Sequence, residues 1–292
     1  MALGRRKCCR IGGLTLSLCW TLPKLTFVES AEVFGKFERW LRSELVVGYR
    51  PLGALLACFA QGSIVEGLAS DADIDVVLVW DGDPPDSSVR PAAGLADKDP
   101  APTVFDQPDF NVDRFWHDGQ QFDVKHMPRL ELDRWVELIE SGRGWDGYPT
   151  PVVGIHGLLS GVVLVDPDGY LGAVRDRVAH VPQAFVRNTQ MSTERLTGLL
   201  AELERCADRG DYLLFHRLAA DAIRAGFIGW FAAQGRYWPL EKRLTTRLQL
   251  TGRADLADLE QRAWTEPTLH QRLAAIRQLL TALTEADDDL TR

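Results

Sequence analysis

Several hallmarks of familiar protein classes are missing from this 292-residue sequence. Its five cysteines form no CxxC pair and no zinc spacing, which favours a reduced, cytoplasmic protein without a disulfide framework. No stretch reaches the ~20 apolar residues of a membrane span. A basic excess is also missing: the formal net charge is −8, which disfavours a protein that coats nucleic acid.

Histidine and glycine motifs of common enzymes are missing as well. The six histidines contain no HExxH zinc motif. Residues 142–147 spell GxGxxG, but they follow a predicted helix rather than a strand, so the context of a dinucleotide-binding fold is lacking. Ser160 lacks the spacing of a nucleophile elbow. Dehydrogenases, zinc proteases and serine hydrolases are therefore disfavoured.

The N-terminus combines basic residues with a modestly apolar stretch, as a signal peptide does. Arg10 and several Thr and Ser residues interrupt that stretch, and no clear cleavage site follows it. We therefore expect residues 1–30 to be a poorly ordered tail, or the product of a start site placed too far upstream. Ser30 is predicted to be the N-cap of the first helix, because apolar residues recur at helical spacing after it.

Two apolar runs, residues 54–60 and 74–80, predict buried strands. Asp118-Gly119 is a preferred tight-turn dipeptide, and the alternating segments that flank it predict a β-hairpin. Between these elements, residues 81–109 are rich in Pro, Asp, Gly and Ala. This composition predicts a long mobile loop.

The second part of the chain contains only helical patterns. Leu196, Phe215 and Leu269 each begin an apolar stripe at helical spacing. Strands followed by helices predict an α+β fold, with a mixed-sheet domain over residues 31–186 and an all-helical domain over 187–292.

Acidic residues lie at the start of the second predicted strand. Asp73 and Asp75 are two residues apart, so both carboxylates point to the same face, while Ile74 and Val76 point into the core behind them. Carboxylates held this close repel one another unless a proton or a cation intervenes. Mg²⁺ prefers such oxygen ligands and commonly shares them with substrate phosphates. If the second hairpin strand lies beside residues 74–80, Asp123 joins the same cluster.

Gly62-Ser63 follows the first strand and begins a turn. Glycine allows a phosphate to approach the backbone closely, and free N–H groups in such a turn can hold the phosphate. Gly62, Ser63, Asp73, Asp75 and Asp123 thus form an ordered set, each on its expected element.

This ordered set resembles the nucleotidyltransferase superfamily of the polymerase-beta type, and is most similar to its small bacterial members, including antibiotic nucleotidyltransferases. The resemblance covers residues 31–169, and the helical part also resembles the companion domain of such enzymes. Asp71-Ala72-Asp73 is a second Asp-x-Asp in the same stretch. We prefer Asp73 and Asp75 because Ile74 and the following valines supply the core strand, which leaves Asp71 as a solvated turn residue.

The resemblance implies a Mg²⁺-dependent transferase that moves AMP from ATP, or another nucleoside monophosphate from its NTP, to a hydroxyl and releases pyrophosphate. Asp73, Asp75 and Asp123 would hold two Mg²⁺ ions, and Asp123 would also take the acceptor proton. Gly62 and Ser63 would hold the distal phosphates. The acidic net charge favours a small acceptor such as an aminoglycoside-like antibiotic over RNA or protein acceptors.

The helical part of the chain also contains two candidate site residues. Tyr237 and Lys242 follow a long apolar helix, and we expect Tyr237 to stack on the acceptor or base and Lys242 to meet the triphosphate, at the cleft opposite Asp123. The alternative for Tyr237 is packing, and the alternative for Lys242 is solvation.

A different class of function also stays open, namely a non-catalytic module that binds a nucleotide or a regulatory partner. Neither nucleic acid nor a membrane is an expected partner.

Overall fold

The computed structural model of the chain describes residues 27–97, 101–107, 110–146 and 151–288. The strands within these ranges are β1 (Leu55–Gln61), β2 (Ile74–Trp80), β3 (Thr103–Gln107), β4 (Phe110–His117), β5 (Gln120–Pro128) and β6 (Val162–Val165). The helices are α1 (Phe27–Trp40), α2 (Val46–Tyr49), α3 (Ala92–Leu95), α4 (Arg129–Glu140), α5 (Pro151–Ser160), α6 (Tyr170–Val178), α7 (Gln183–Thr189), α8 (Thr193–Arg209), α9 (Tyr212–Ala233), α10 (Leu244–Leu250), α11 (Ala254–Thr265) and α12 (Leu269–Asp288). A π-helical turn (Leu41–Leu45) joins α1 to α2, and 3₁₀ turns cover Arg50–Leu52 and Ser87–Val89.

The strands form one mixed sheet in the order β3-β4-β5-β2-β1-β6. Strands β2 and β5 are parallel, and the other neighbouring pairs are antiparallel. A mixed sheet followed by a succession of helices is an α+β fold, so the predicted fold class is confirmed.

Strand alternation sends side chains of β2 to opposite faces of the sheet. Val77 and Val79 pack with α4, α5 and the C-terminal helices, whereas Val76 and Leu78 pack with α1 and its following turns. Both faces are therefore covered, which explains why β2 is almost continuously apolar. The apolar cluster on the first face extends without a break into the buried residues of α8, α9 and α12.

The predicted hairpin is present as β4 and β5, with Asp118 and Gly119 at its turn. Both turn residues have positive φ, of 50° and 75°, as the tight type I′ connection requires. Strands are also present where the apolar runs predicted them, and the three helical stripes lie on α8, α9 and α12.

Two local predictions are wrong. Ser30 is not an N-cap, because α1 already includes Phe27 and Ser30 is buried inside the helix. Residues 81–109 are not one long loop: the described part contains the turn Ser87–Val89, α3, and the edge strand β3, which pairs with β4. Within this segment the Arg90 guanidinium is buried against Asp113 at 3.2 Å.

The tail predicted over residues 1–30 lies outside the described residues, except that residues 27–30 belong to α1. Cys58 and Cys206 are free, buried thiols, and the remaining cysteines precede the described part. Burial raises the pKa of Cys58, so its thiol is held in the neutral form. None of the helices in the described ranges has the length and apolar character needed to cross a membrane.

Candidate metal and nucleotide site

Parallel pairing of β2 with β5 places Asp75 directly opposite Asp123. Asp73 immediately precedes β2 and points to the same face as Asp75, as strand alternation predicts. One carboxylate oxygen from each of the three residues lies within 4.8 Å of the other two. The structure therefore brings together the acids that the sequence placed on separate elements.

Asp75 is the most unusual acid of this cluster. Burial raises the pKa of Asp75, and the neighbouring charges of Asp73 and Asp123 raise it further, while Lys125 acts in the opposite direction. The ionised carboxylate of Asp75 therefore destabilises the folded protein unless a cation lies close to it.

Each acid of the cluster has a basic partner. Lys125 Nζ lies 2.8 Å from Asp75 Oδ1, and Lys242 Nζ lies 3.2 Å from Asp73 Oδ1. Arg114 holds both oxygens of Asp123, with Nε 2.7 Å from Oδ1 and Nη2 2.6 Å from Oδ2. This two-point contact is the strongest geometry available to an arginine and a carboxylate, and it fixes the orientation of Asp123.

The sequence interpretation missed Arg114 and Lys125. Lys125 is two residues after Asp123 on β5 and therefore shares its face. Arg114 lies directly opposite Asp123 in the β4–β5 register. The alternation of the hairpin could have identified both, since the Asp118-Gly119 turn fixes that register.

Gly62 lies against the acid cluster. Its φ of +96° belongs to the region that favours glycine, and a Cβ atom at this position would lie 2.5 Å from Asp75 Oδ2. The turn that follows is tight, because Glu66 N–H donates to the Gly62 carbonyl at 3.0 Å and Leu68 N–H donates to the Ser63 carbonyl at 2.8 Å. The backbone at Gly62 thus approaches the carboxylates more closely than any other residue type would allow.

Asp71 lies apart from the cluster. Its side chain is 79% exposed and pairs with Arg243 at 3.2 Å. Asp71 is thus a solvated residue outside the cluster, as the sequence predicted.

The two residues predicted in the C-terminal part have different surroundings. Lys242 contacts Asp73, so it lies at the acid cluster. Tyr237 is buried, packs edge-on against Phe185, and donates a hydrogen bond to the carbonyl of His180 at 3.4 Å. Burial raises the pKa of Tyr237, so the phenol remains protonated. The stacking role of Tyr237 stays a prediction.

A second contact joins the turn after Gly62 to the C-terminal helices. Both oxygens of Glu66 accept hydrogen bonds from Arg247 of α10, one of them at 2.8 Å, and His156 Nε2 lies 3.2 Å from Oε2. Burial opposes ionisation of Glu66, but these hydrogen bonds outweigh it and hold the pKa of Glu66 at about 2. No sequence pattern predicted this pairing, because Glu66 and Arg247 are separated by 181 residues.

The donor set fits a hard divalent cation. Three carboxylate oxygens converge, and the glycine at position 62 leaves space beside Asp75 that a Cβ would fill. Oxygen-only ligation suits Mg²⁺ or Mn²⁺ and does not suit a soft metal. Of the basic partners, Lys242 has the most room to move, since its side chain is 52% exposed, against 41% for Arg114 and 35% for Lys125.

Comparisons with known proteins give limited similarity. A family model described as a domain of unknown function (DUF4037) matches residues 149–244. A nucleotidyltransferase-like protein from Exiguobacterium sibiricum 255-15 is similar in structure, with 14% sequence identity and a TM-score of 0.43 over 86% of this chain and 75% of that one. The CdnC:HORMA-deltaN complex from E. coli MS115-1 is similar at 17% identity and a TM-score of 0.22, over 88% and 90% of the respective chains. No curated protein sequence matches the chain. Similarities of this size carry no argument about function.

Proposed function

We propose that the protein is a divalent-metal-dependent nucleotidyltransferase. The observation that carries the proposal is the convergence of Asp73, Asp75 and Asp123 beside the Gly62 turn. Convergent carboxylates next to a glycine turn are what a site needs to hold metal-bound phosphates. The resemblance of the motif residues to polymerase-beta-type enzymes supports the same function.

The reaction is the transfer of AMP, or another nucleoside monophosphate, to an acceptor hydroxyl. The hydroxyl oxygen bonds to the α-phosphorus while the bond from that phosphorus to the bridging oxygen breaks, and pyrophosphate leaves with the electron pair. Mg²⁺, when bound, neutralises charge on the phosphates and orients them for this in-line displacement. Asp73, Asp75 and Asp123 would hold it.

The remaining roles belong to residues of the chain itself. Asp123 accepts the hydroxyl proton, and Arg114 fixes the direction in which its oxygens point. The backbone of Gly62 and Ser63 binds the distal phosphates, because the glycine permits close approach. Lys242 is free to move from Asp73 to the triphosphate, since its side chain is half exposed. ATP is the proposed nucleotide, and the acceptor is a hydroxyl-bearing small molecule such as an aminoglycoside-like antibiotic.

The test is transfer of label from α-³²P-labelled NTPs in the presence of Mg²⁺, with aminoglycosides, RNA and protein as separate acceptor panels. Asp73→Asn, Asp75→Asn and Asp123→Asn should each abolish transfer. Asp71→Asn is the matched control, because it changes an acid two residues away that lies outside the cluster. Activity that survives in all three cluster variants would contradict the proposal.

A non-catalytic nucleotide-binding module is the second candidate, and one observation favours it. Every acid of the cluster is paired with a basic side chain, so the cluster is neutralised without a metal. Titration with Mn²⁺, followed by its electron paramagnetic resonance, separates the two functions. A module that uses these pairs structurally should bind no Mn²⁺ at the cluster, whereas a transferase should lose Mn²⁺ binding on Asp75→Asn.

A further inference from the structure

A cavity of about 400 Å³ lies between α5, the end of α6, the end of α9 and α10. It is large enough for a small organic ligand. Most of its lining is apolar and includes Leu68, Leu159, Phe231, Pro239 and Leu250. An apolar lining selects a ligand with an apolar body, since water in such a space gains few hydrogen bonds.

This cavity is separate from the acid cluster. Its lining contains none of Gly62, Ser63, the three clustered acids or Lys242, but it does contain Tyr237, for which a stacking role was predicted. The pairing of Glu66 with Arg247 and His156 stands beside it, because Arg247 and His156 line the cavity. None of the residues given a role in the proposed transfer reaction lines this cavity.

The cavity is lined by three basic side chains, and two of them, Arg247 and His156, are already paired with Glu66. Arg236, Arg247 and His156 line it, and no aspartate or glutamate does, although the chain as a whole has a formal net charge of −8. Arg247 Nε is buried and has no hydrogen-bond partner, which is costly for a guanidinium donor. Arg236 is exposed and forms no ion pair within the described part of the chain. Arg236 thus offers unused donors at an apolar cavity, whereas Nη1 and Nη2 of Arg247 are bound to Glu66.

We propose that this cavity binds a small organic anion with an apolar body, such as an aryl carboxylate or sulfonate. The apolar body would contact the Leu159 and Phe231 side, and the anionic group would take the donors of Arg236. The charge of the lining disfavours a cationic ligand such as an aminoglycoside in this space. The proposal holds whether or not the acid cluster is catalytic, because it involves neither metal nor nucleotide.

The test compares two fluorescent probes with the full-length protein, in the absence of nucleotide and metal. 8-Anilinonaphthalene-1-sulfonate carries the anionic group, and N-phenyl-1-naphthylamine has the same aryl body without it. The sulfonate should bind saturably at one site per chain and more tightly than the neutral probe. Arg236→Gln should weaken binding of the sulfonate by roughly three- to tenfold and leave binding of the neutral probe unchanged. Arg277→Gln, an exposed arginine of α12 outside the cavity, is the matched control.

A second pair of variants changes only the sign of charge at the cavity. Leu250 lines the cavity but is 62% exposed, so polar substitution should not disturb folding. Leu250→Glu should bind the sulfonate roughly three- to tenfold more weakly than Leu250→Lys does. The neutral probe should bind both variants with the same affinity. Equal effects of the two variants on the sulfonate, or unchanged sulfonate binding in Arg236→Gln, would overturn the proposal. Absence of saturable binding to the folded protein would overturn it as well.

Discussion

The ammonium group of Lys125 lies 2.8 Å from the carboxylate of Asp75, on the strand parallel to it. Burial disfavours both charges. Asp75 outweighs this effect at Lys125 and raises the pKa of the ammonium group, whereas at Asp75 burial outweighs Lys125 and raises the pKa of the carboxyl group. A divalent cation at the acid cluster would compete with Lys125 for the same oxygen. The stability of the protein should therefore report on metal binding through this pair.

Lys125→Met should lower the melting temperature in the presence of EDTA, because it leaves Asp75 buried without its counter-charge; the expected loss is about 3 kcal/mol. Added Mg²⁺ should restore more stability to this variant than to the wild type, since the ion replaces the missing positive charge. Thermal unfolding at several Mg²⁺ concentrations measures this. Lys36→Met, which alters an exposed ion pair with Asp118, is the control. Parallel Mg²⁺ responses in all three proteins would show that no metal reaches Asp75.

Asp73→Asn should reduce nucleotidyl transfer by about 100-fold or more, because it removes a ligand charge from the phosphate-binding centre. The fold should remain intact, since Asp73 precedes β2 and its removal relieves repulsion with Asp75. Label transfer and thermal unfolding measured together separate the two effects. If Asp71→Asn abolishes activity while Asp75→Asn does not, the Asp-x-Asp pair has been assigned two residues too late.

Local patterns predicted the convergence of the three acids because strand alternation and a tight turn act over a few residues. Asp73 and Asp75 share a face for that reason, and the hairpin turn fixes the position of Asp123 on β5. The fold class follows from the same patterns. Contacts between distant segments have no such signal, and the pairing of Glu66 with Arg247 is one of them.

The segment 81–109 is the clearest case in which local sequence patterns did not predict the structure. Its composition is that of a loop, yet Arg90 is buried against Asp113, and Asp113 also accepts a hydrogen bond from Tyr49 at 2.6 Å. Arg90 and Asp113 are 23 residues apart, so the propensities of the segment alone do not include this contact. The partner on β4 is visible only once the sheet is assembled.

Arg90→Met should destabilise the protein by about 3 to 5 kcal/mol, because it leaves the buried carboxylate of Asp113 without its cation. Urea unfolding of Arg90→Met beside Arg187→Met, an exposed arginine of α7, measures the difference. A loss below about 1 kcal/mol, the range of an exposed pair, would mean that the segment contributes little and behaves as the loop that its composition suggests.

Gly62→Ala should abolish transfer and lower stability, because the new methyl group would lie 2.5 Å from Asp75 Oδ2. The positive φ adds strain of about 1 to 2 kcal/mol. Gly82→Ala is the matched control, since its φ is +119° and the added Cβ would meet nothing within 4 Å. It should show the backbone strain without loss of activity. Equal activity of the two variants would indicate that close approach at Gly62 is not required.

Glu66→Gln should lower stability near neutral pH by about 3 kcal/mol, because it removes the charge that Arg247 and His156 hold. The folded-state pKa of Glu66 is about 2, against an ordinary value of 4.5, so the ionised form stabilises the native state. That contribution is complete above pH ~4.5 and disappears as pH falls through about 2. The difference in free energy of unfolding between wild type and Glu66→Gln should therefore shrink across this window.

The control is Glu44→Gln, at an exposed position, and its free energy of unfolding should follow that of the wild type at every pH. A difference that persists unchanged to pH ~2 would show that Glu66 acts through shape rather than charge, and the contact with α10 would then not depend on its ionisation.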